Sequence, residues 1–175
     1  MRKQIFIVVL FLISLMSKAQ EKSPLETIRI EFQEIKNEAD IERILAFEYD
    51  RAKEKELKMI KAYQAAGTCM MAEYVFSPIS KLKYFNNGKK NLEQLISEGK
   101  EVENVYLRLL IQLNVPRMLN YHKDIEDDMA YLERHMSTAP IELSYKNTMI
   151  MNLVSITKNK DLKDALLQIN VEEES

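Results

Sequence analysis

Few residues in this chain could do chemistry: one cysteine, Cys69, two histidines, His122 and His135, and one arginine, Arg108, set in an otherwise apolar run. A cysteine nucleophile needs a base to take its proton, and neither histidine is near Cys69 in sequence. A lone cysteine cannot form an internal disulfide. It reads as a small buried apolar residue on a helix, with an intermolecular bridge or a reactive thiol as alternatives. His122-Lys123-Asp124 with Glu126, Asp127 and Asp128 offers metal-ligand types, but the spacing matches no zinc or calcium motif, and a helix would spread these groups around its girth. The run reads instead as a solvated acidic helix face. His135 reads as a cation favoured by the dipole at a helix C-terminus. No Gly-x-Ser-x-Gly turn or glycine-rich phosphate loop is present. No catalytic residue, metal or cofactor is therefore assigned, and the chain is expected not to be an enzyme.

Arg108 is the most informative polar residue. It lies among Tyr106, Leu109 and Leu110, and Gln112 follows one turn later on the same side. One reading is an internal ion pair with Glu73 or Asp128 that ties adjacent helical hairpins together. A second is a polar patch in a concave groove that contacts a peptide or a small ligand. Simple exposure is a third. Tyrosine suits both half-wet helix packing and recognition surfaces, so Tyr84 and Tyr121 join the tentative groove or ion-pair set of Arg108, Gln112, Asp128 and Glu73. The ten methionines suit either an adaptable face or a gap-filled core.

The elements that must position these residues read as helices. The whole chain holds three Gly and four Pro, and no hairpin-type turn separates β-branched runs. Ser23-Pro24-Leu25-Glu26 carries a cap, a first-turn proline and a capping box. Leu25, Ile28, Phe32 and Ile35 then follow helical spacing. Asp40 can cap a second helix bearing Ile41, Ile44 and Leu45. A third carries Leu57, Ile60, Gln64, Gly67 and Met71, and Ser77-Pro78 ends it. Ser80 can cap a fourth, with a stripe of Leu82, Phe85, Leu92, Leu95 and Ile96, Gly88 at a close-packing position and Gly99 as the stop. Val102, Val105, Tyr106, Leu109, Leu110 and Leu113 make a fifth that Pro116 breaks. A sixth carries Ile125, Met129, Leu132 and Met136. A seventh has Glu142 in its first turn, and a short last one follows Asn159-Lys160-Asp161. The sum is an all-α chain of seven or eight antiparallel helices, stacked as helical hairpins because the connections are short.

Ahead of them, Arg2 and Lys3 precede the apolar run Ile5 to Met16, and Ser17-Lys18-Ala19 supplies small residues where a signal peptidase reads. Residues 1–19 are expected to be a signal peptide, with a buried helix or an uncleaved anchor as alternatives. The run is short of the roughly 20 residues that span a bilayer. No cysteine follows it, which argues against a lipid-modified N-terminus. The expected mature chain, residues 20–175, is a single all-α domain ending in a frayed acidic tail, Glu172-Glu173-Glu174. Losing Arg2, Lys3 and Lys18 leaves 22 basic against 27 acidic side chains, a net charge of −5. That balance offers no footprint for nucleic acid or anionic lipid. No integral membrane segment is expected after cleavage, and the compartment is expected to be periplasmic or extracellular.

The segment 61–136 carries Ala62-Tyr63, Pro78 with Lys81, Tyr84-Phe85, Gly88, Tyr106-Leu107-Arg108, Gln112, Pro116, Leu119-Asn120-Tyr121, and Ile125 with Asp128. By these markers it resembles an uncharacterised family of exported bacterial proteins with a tetratricopeptide-like helical build. The resemblance implies a fold and a compartment, and no activity. Against tetratricopeptide spacing, Gly88, Leu92, Leu95 and Lys100 fill the slots of one helix. Tyr106, Leu109, Leu110 and Leu113 fill those of the next. Two small positions and the exit proline are missing, so the repeat is degenerate. The functional expectation is a non-enzymatic scaffold or adaptor that binds an unknown protein or peptide on a concave face lined by the third to sixth helices. The alternative is a carrier of a small anionic ligand in a pocket between helices, using Arg108, Gln112 and the tyrosines.

Overall fold

A computed structural model describes residues 22–49 and 52–172. The leader at 1–19 and the last two glutamates of the acidic tail lie outside the described residues. Eight α-helices follow one another among the described residues: α1 (Pro24–Gln33), α2 (Glu38–Leu45), α3 (Glu54–Met71), α4 (Pro78–Glu98), α5 (Val102–Asn114), α6 (Ile125–His135), α7 (Leu143–Ile156) and α8 (Lys160–Leu167). A 3₁₀ turn, Arg117–Leu119, sits between α5 and α6, and there is no strand among the described residues. The chain is all-α, as the sequence pattern predicts. None of these helices is long and apolar enough to cross a membrane.

Local chemistry sets the boundaries. At α1 the Ser23 hydroxyl accepts from the Glu26 amide, and the Glu26 carboxylate accepts from the Ser23 amide. Asp40 does not cap α2. Asn37 holds that position, and Asp40 sits three residues on as the return arm of the box. There its carboxylate takes the N–H groups of Lys36 and Asn37, and the Lys36 bond chiefly holds it below the usual carboxylate range. Ser77-Pro78 does not end α3 either. That helix stops at Met71, Ser77 caps α4, and Pro78 takes the first helical position, where no N–H is needed. Ser80 therefore lies inside α4, and Glu142 is the residue before α7 rather than within its first turn.

Each helix packs on the next as a hairpin: α1 with α2, α3 with α4, α5 with α6, α7 with α8. The odd-numbered helices also pack in succession, α1 on α3, α3 on α5 and α5 on α7. The result is four stacked hairpins with one hydrophobic core that runs from Ile28 to Ile169. The helix α5 is buried on nearly every side from Val102 to Leu109, so it is the axis of the stack rather than a helix with a wet face. Leu82 departs from the expected stripe on α4. The first two turns of that helix run almost entirely exposed, and burial begins at Phe85.

Candidate functional site

Two buried polar clusters and one cavity stand out. The first cluster holds Arg108. Its Nε and Nη2 donate to the two carboxylate oxygens of Asp128 at 2.7 and 2.5 Å, and its Nη1 donates to Glu93 at 2.9 Å. The Tyr121 hydroxyl donates to the other Glu93 oxygen at 2.6 Å. Asp128 is fully buried, so the reading of a solvated acidic face fails for this residue. It fails because Asp128 faces α5, where Arg108 awaits it, while Glu126 and Asp127 point outward. Burial works against the Arg108 charge, but the bonds and charges of Asp128 and Glu93 outweigh it and hold the guanidinium above its ordinary value. Burial also pushes the Asp128 carboxyl up, against the pull of Arg108. This is the internal ion pair, and its second acid is Glu93. Glu73 is not a partner: it is exposed, and the Lys81 ammonium bonds its carbonyl at 3.3 Å rather than its carboxylate.

The rest of the tentative set disperses. Tyr84 is exposed on the second turn of α4, and Tyr121 is buried edge-on against Phe85. Gln112 is fully buried, and neither atom of its amide has a hydrogen-bond partner. A buried, unmet amide costs about 1–3 kcal/mol, so replacing it with an apolar side chain of the same length should be neutral or better. Gln112→Met is expected to raise stability by about 1 kcal/mol, read as a higher midpoint in urea unfolding. A lower midpoint would mean the amide holds something the fold needs. His122 Nε2 pairs with the Val115 carbonyl at 3.1 Å, and His135 packs on the Tyr131 ring. No group of three or more His, Cys, Asp and Glu side chains converges among the described residues.

The second cluster joins the four odd-numbered helices: Arg29, Gln33, Tyr63, Glu103, Tyr106, Tyr145 and Asn152 bond in one chain. Gln33 of α1 reaches Tyr145 and Asn152 of α7, so this chain of bonds ties the first hairpin to the last. The tyrosines stay protonated. Burial foremost, then the Glu103 charge, pushes Tyr63 well above its ordinary value, and burial raises Tyr106 and Tyr145 as well.

A cavity of about 740 Å³ lies where the C-terminal ends of α1, α3, α5 and α7 come together. The last turns of α1, α3, α5 and α7 reach it through Gln33, Cys69, Leu110 and Ile156, and the start of α4 and the 3₁₀ turn complete its wall. Leu82 and Met118 line it and are exposed, so they mark its mouth. Phe76 and Ile79, just ahead in the chain, are also bare. Arg108, Gln112, Asp128, Tyr84 and Tyr121 do not line it; of the expected site residues only Glu73 does. Cys69 lies in the wall with its thiol toward the Phe85 carbonyl at 3.6 Å, and burial pushes that thiol up to about 12. No family model matches this chain, and neither a curated protein nor a solved structure matches it.

Proposed function

We propose that this protein is an exported, non-enzymatic carrier or receptor of a small apolar ligand, built on a degenerate tetratricopeptide-like stack of helical hairpins. The observation that carries the proposal is the cavity. Its volume of about 740 Å³ lies within the roughly 300–1,000 Å³ typical of small-molecule sites, and its walls are mostly apolar with a few converging polar groups. The export part rests on residues 1–19 alone. The non-enzymatic part rests on Cys69 being held as a thiol with no imidazole bonded to it. The anionic character first expected of the ligand loses its support, because Arg108 is neutralised by two carboxylates away from the cavity.

Nile red provides the test. Saturable binding with a blue shift at one equivalent is expected, and Leu110→Trp, which puts an indole into the cavity, should weaken it about tenfold. Absence of saturable binding, or an unchanged Leu110→Trp, counts against the carrier.

A second reading, a scaffold that docks a protein partner, draws on the bare Phe76 and Ile79 beside the mouth, since exposed apolar patches mark interaction sites. A Phe76→Ser/Ile79→Ser variant separates the two. It should leave dye binding intact under the carrier reading and abolish partner capture under the scaffold reading.

A further inference from the structure

The barest large apolar side chains among the described residues stand together at the mouth of the cavity. Phe76 is fully exposed, Met118 is 88% exposed and Ile79 82%, while the next two, Met151 and Leu167, reach only 56%. Phe76 and Ile79 flank Ser77-Pro78 at the start of α4, and Pro78 and Met118 both line the cavity. Leu82 is exposed, lines the cavity as well, and shares a face of α4 with Ile79. Single exposed apolar residues are ordinary, but a cluster of them marks a contact surface.

The two segments that carry this cluster are free of acids. No Asp or Glu occurs from Tyr74 to Leu92, or from Asn104 to Lys123. Lys81 and Lys83 on α4 and Arg117 in the 3₁₀ turn are all exposed. None of the three pairs with a carboxylate among the described residues. Glu73 is the one acid in the cavity wall, and Lys81 bonds its carbonyl rather than its carboxylate. The acidic balance of the chain as a whole therefore conceals a basic rim around an apolar tip.

We infer that this rim docks on the surface of an anionic bilayer. Phe76, Ile79, Leu82 and Met118 enter the headgroup layer, and Lys81, Lys83 and Arg117 lie against lipid phosphates. The inference rests on the carrier reading above: an apolar ligand collects in membranes rather than in water, and a docked mouth opens on that store. Charge selects the kind of surface, since unpaired bases are drawn to anionic lipid. Composition fits the layer they enter, because lysine and arginine lay their apolar stems beside inserted side chains and keep their heads in the wet zone. Shape argues against a protein groove. The tips stand on two separate connections, that between α3 and α4 and the 3₁₀ turn, and a fluid surface admits them without a matching relief.

The chain has no tryptophan, so Phe76→Trp puts a single reporter on the tip. Its emission should shift to the blue with phosphatidylcholine vesicles that hold about one third phosphatidylglycerol. Pure phosphatidylcholine should need about tenfold more lipid for the same shift. Adding Lys81→Gln, Lys83→Gln and Arg117→Gln should weaken the response to anionic vesicles by at least as much. Leu167→Trp is the control for attachment through any other part of the chain. It lies at the end of α8, which runs back from the cavity, and its emission should stay that of water. The inference is overturned if the Phe76→Trp emission does not move, moves no more than that of Leu167→Trp, or moves alike with neutral and anionic vesicles. A blue emission before vesicles are added, with a doubled mass in solution, overturns it in favour of a second copy. An equal shift with polyglutamate overturns it in favour of an acidic protein. Nile red binding without vesicles keeps the two readings apart. If dye binds and vesicles do nothing, this inference alone fails; if no dye binds, the carrier reading fails and takes this inference with it.

Discussion

Arg108→Met is expected to lower stability by about 3–5 kcal/mol, the cost of stripping a buried ion pair of one partner. Methionine retains much of the packing volume, so the loss is electrostatic rather than a cavity effect. What remains is the fully buried Asp128 and the half-buried Glu93 facing the same space. The Lys100 ammonium, 3.8 Å from Asp128, is too far and too wet to replace two bonds of 2.5 and 2.7 Å. Asp128→Asn should cost less. Arg108 keeps Glu93, and the asparagine oxygen still accepts from the guanidinium. Arg108→Met with Asp128→Leu should recover most of the loss, because an apolar pair often replaces a buried ion pair at no net cost. Urea unfolding of the three variants reads this directly. A double variant no better than Arg108→Met alone would show that the arginine does something besides neutralise Asp128. Dye affinity should be unchanged in all three, since none of these residues lines the cavity. A fall in affinity would restore Arg108 to the binding site.

How much of this was legible in the sequence follows from the range of each interaction. Helix existence is local, and the apolar spacing of three and four located all eight helices. Caps are local too, but Asn37 and Asp40 are both good cap residues three apart, and only the geometry shows that Asn37 caps and Asp40 replies. The Arg108–Asp128 pair was legible because an arginine on an apolar helix must find an acid. Glu93 was not, because it sits on a mostly exposed stretch of α4 and looks like any solvated glutamate. Arg29 and Glu103 escaped notice for the same reason, although Glu103 lies among Val102, Val105 and Tyr106 on a helix apolar on most sides, which is the signal that its carboxylate would be buried. A pocket between helices was expected, but its place and lining could not be read, and of the residues expected there only Glu73 lines it. It is made where four helix ends separated by more than a hundred residues, from Phe32 to Ile156, are brought level by stacking.

Gly88→Ala is the second large effect, and its sign is its main content. In a helix interior alanine is better than glycine by about 0.5–1 kcal/mol, so propensity alone calls for a gain. Packing calls for the reverse. A Cβ on Gly88 would lie 2.5 Å from the Ala65 carbonyl oxygen and 2.6 Å from both the amide nitrogen and the sulfur of Cys69. Two of those three atoms belong to the backbone of α3 and cannot swing aside, so α3 and α4 must separate. Overpacking of that kind costs about 1–3 kcal/mol or more, and a net loss of about 2 kcal/mol is expected. The other two glycines are internal controls. At Gly67 the nearest atom is a side-chain methyl of Ile44 at 3.3 Å, which can give, so Gly67→Ala should stay within about 1 kcal/mol of the parent. At Gly99 nothing lies within 4 Å and the backbone is extended, so the substitution should be silent. If Gly88→Ala matches Gly99→Ala in denaturant, the two helices are not in contact at this point. The same contact also fixes the cavity, because Cys69 is pressed on Gly88 and both Cys69 and Phe85 stand in its wall. A Gly88→Ala protein that still folds should therefore hold Nile red in a wider, wetter cavity, with its emission shifted back toward the red.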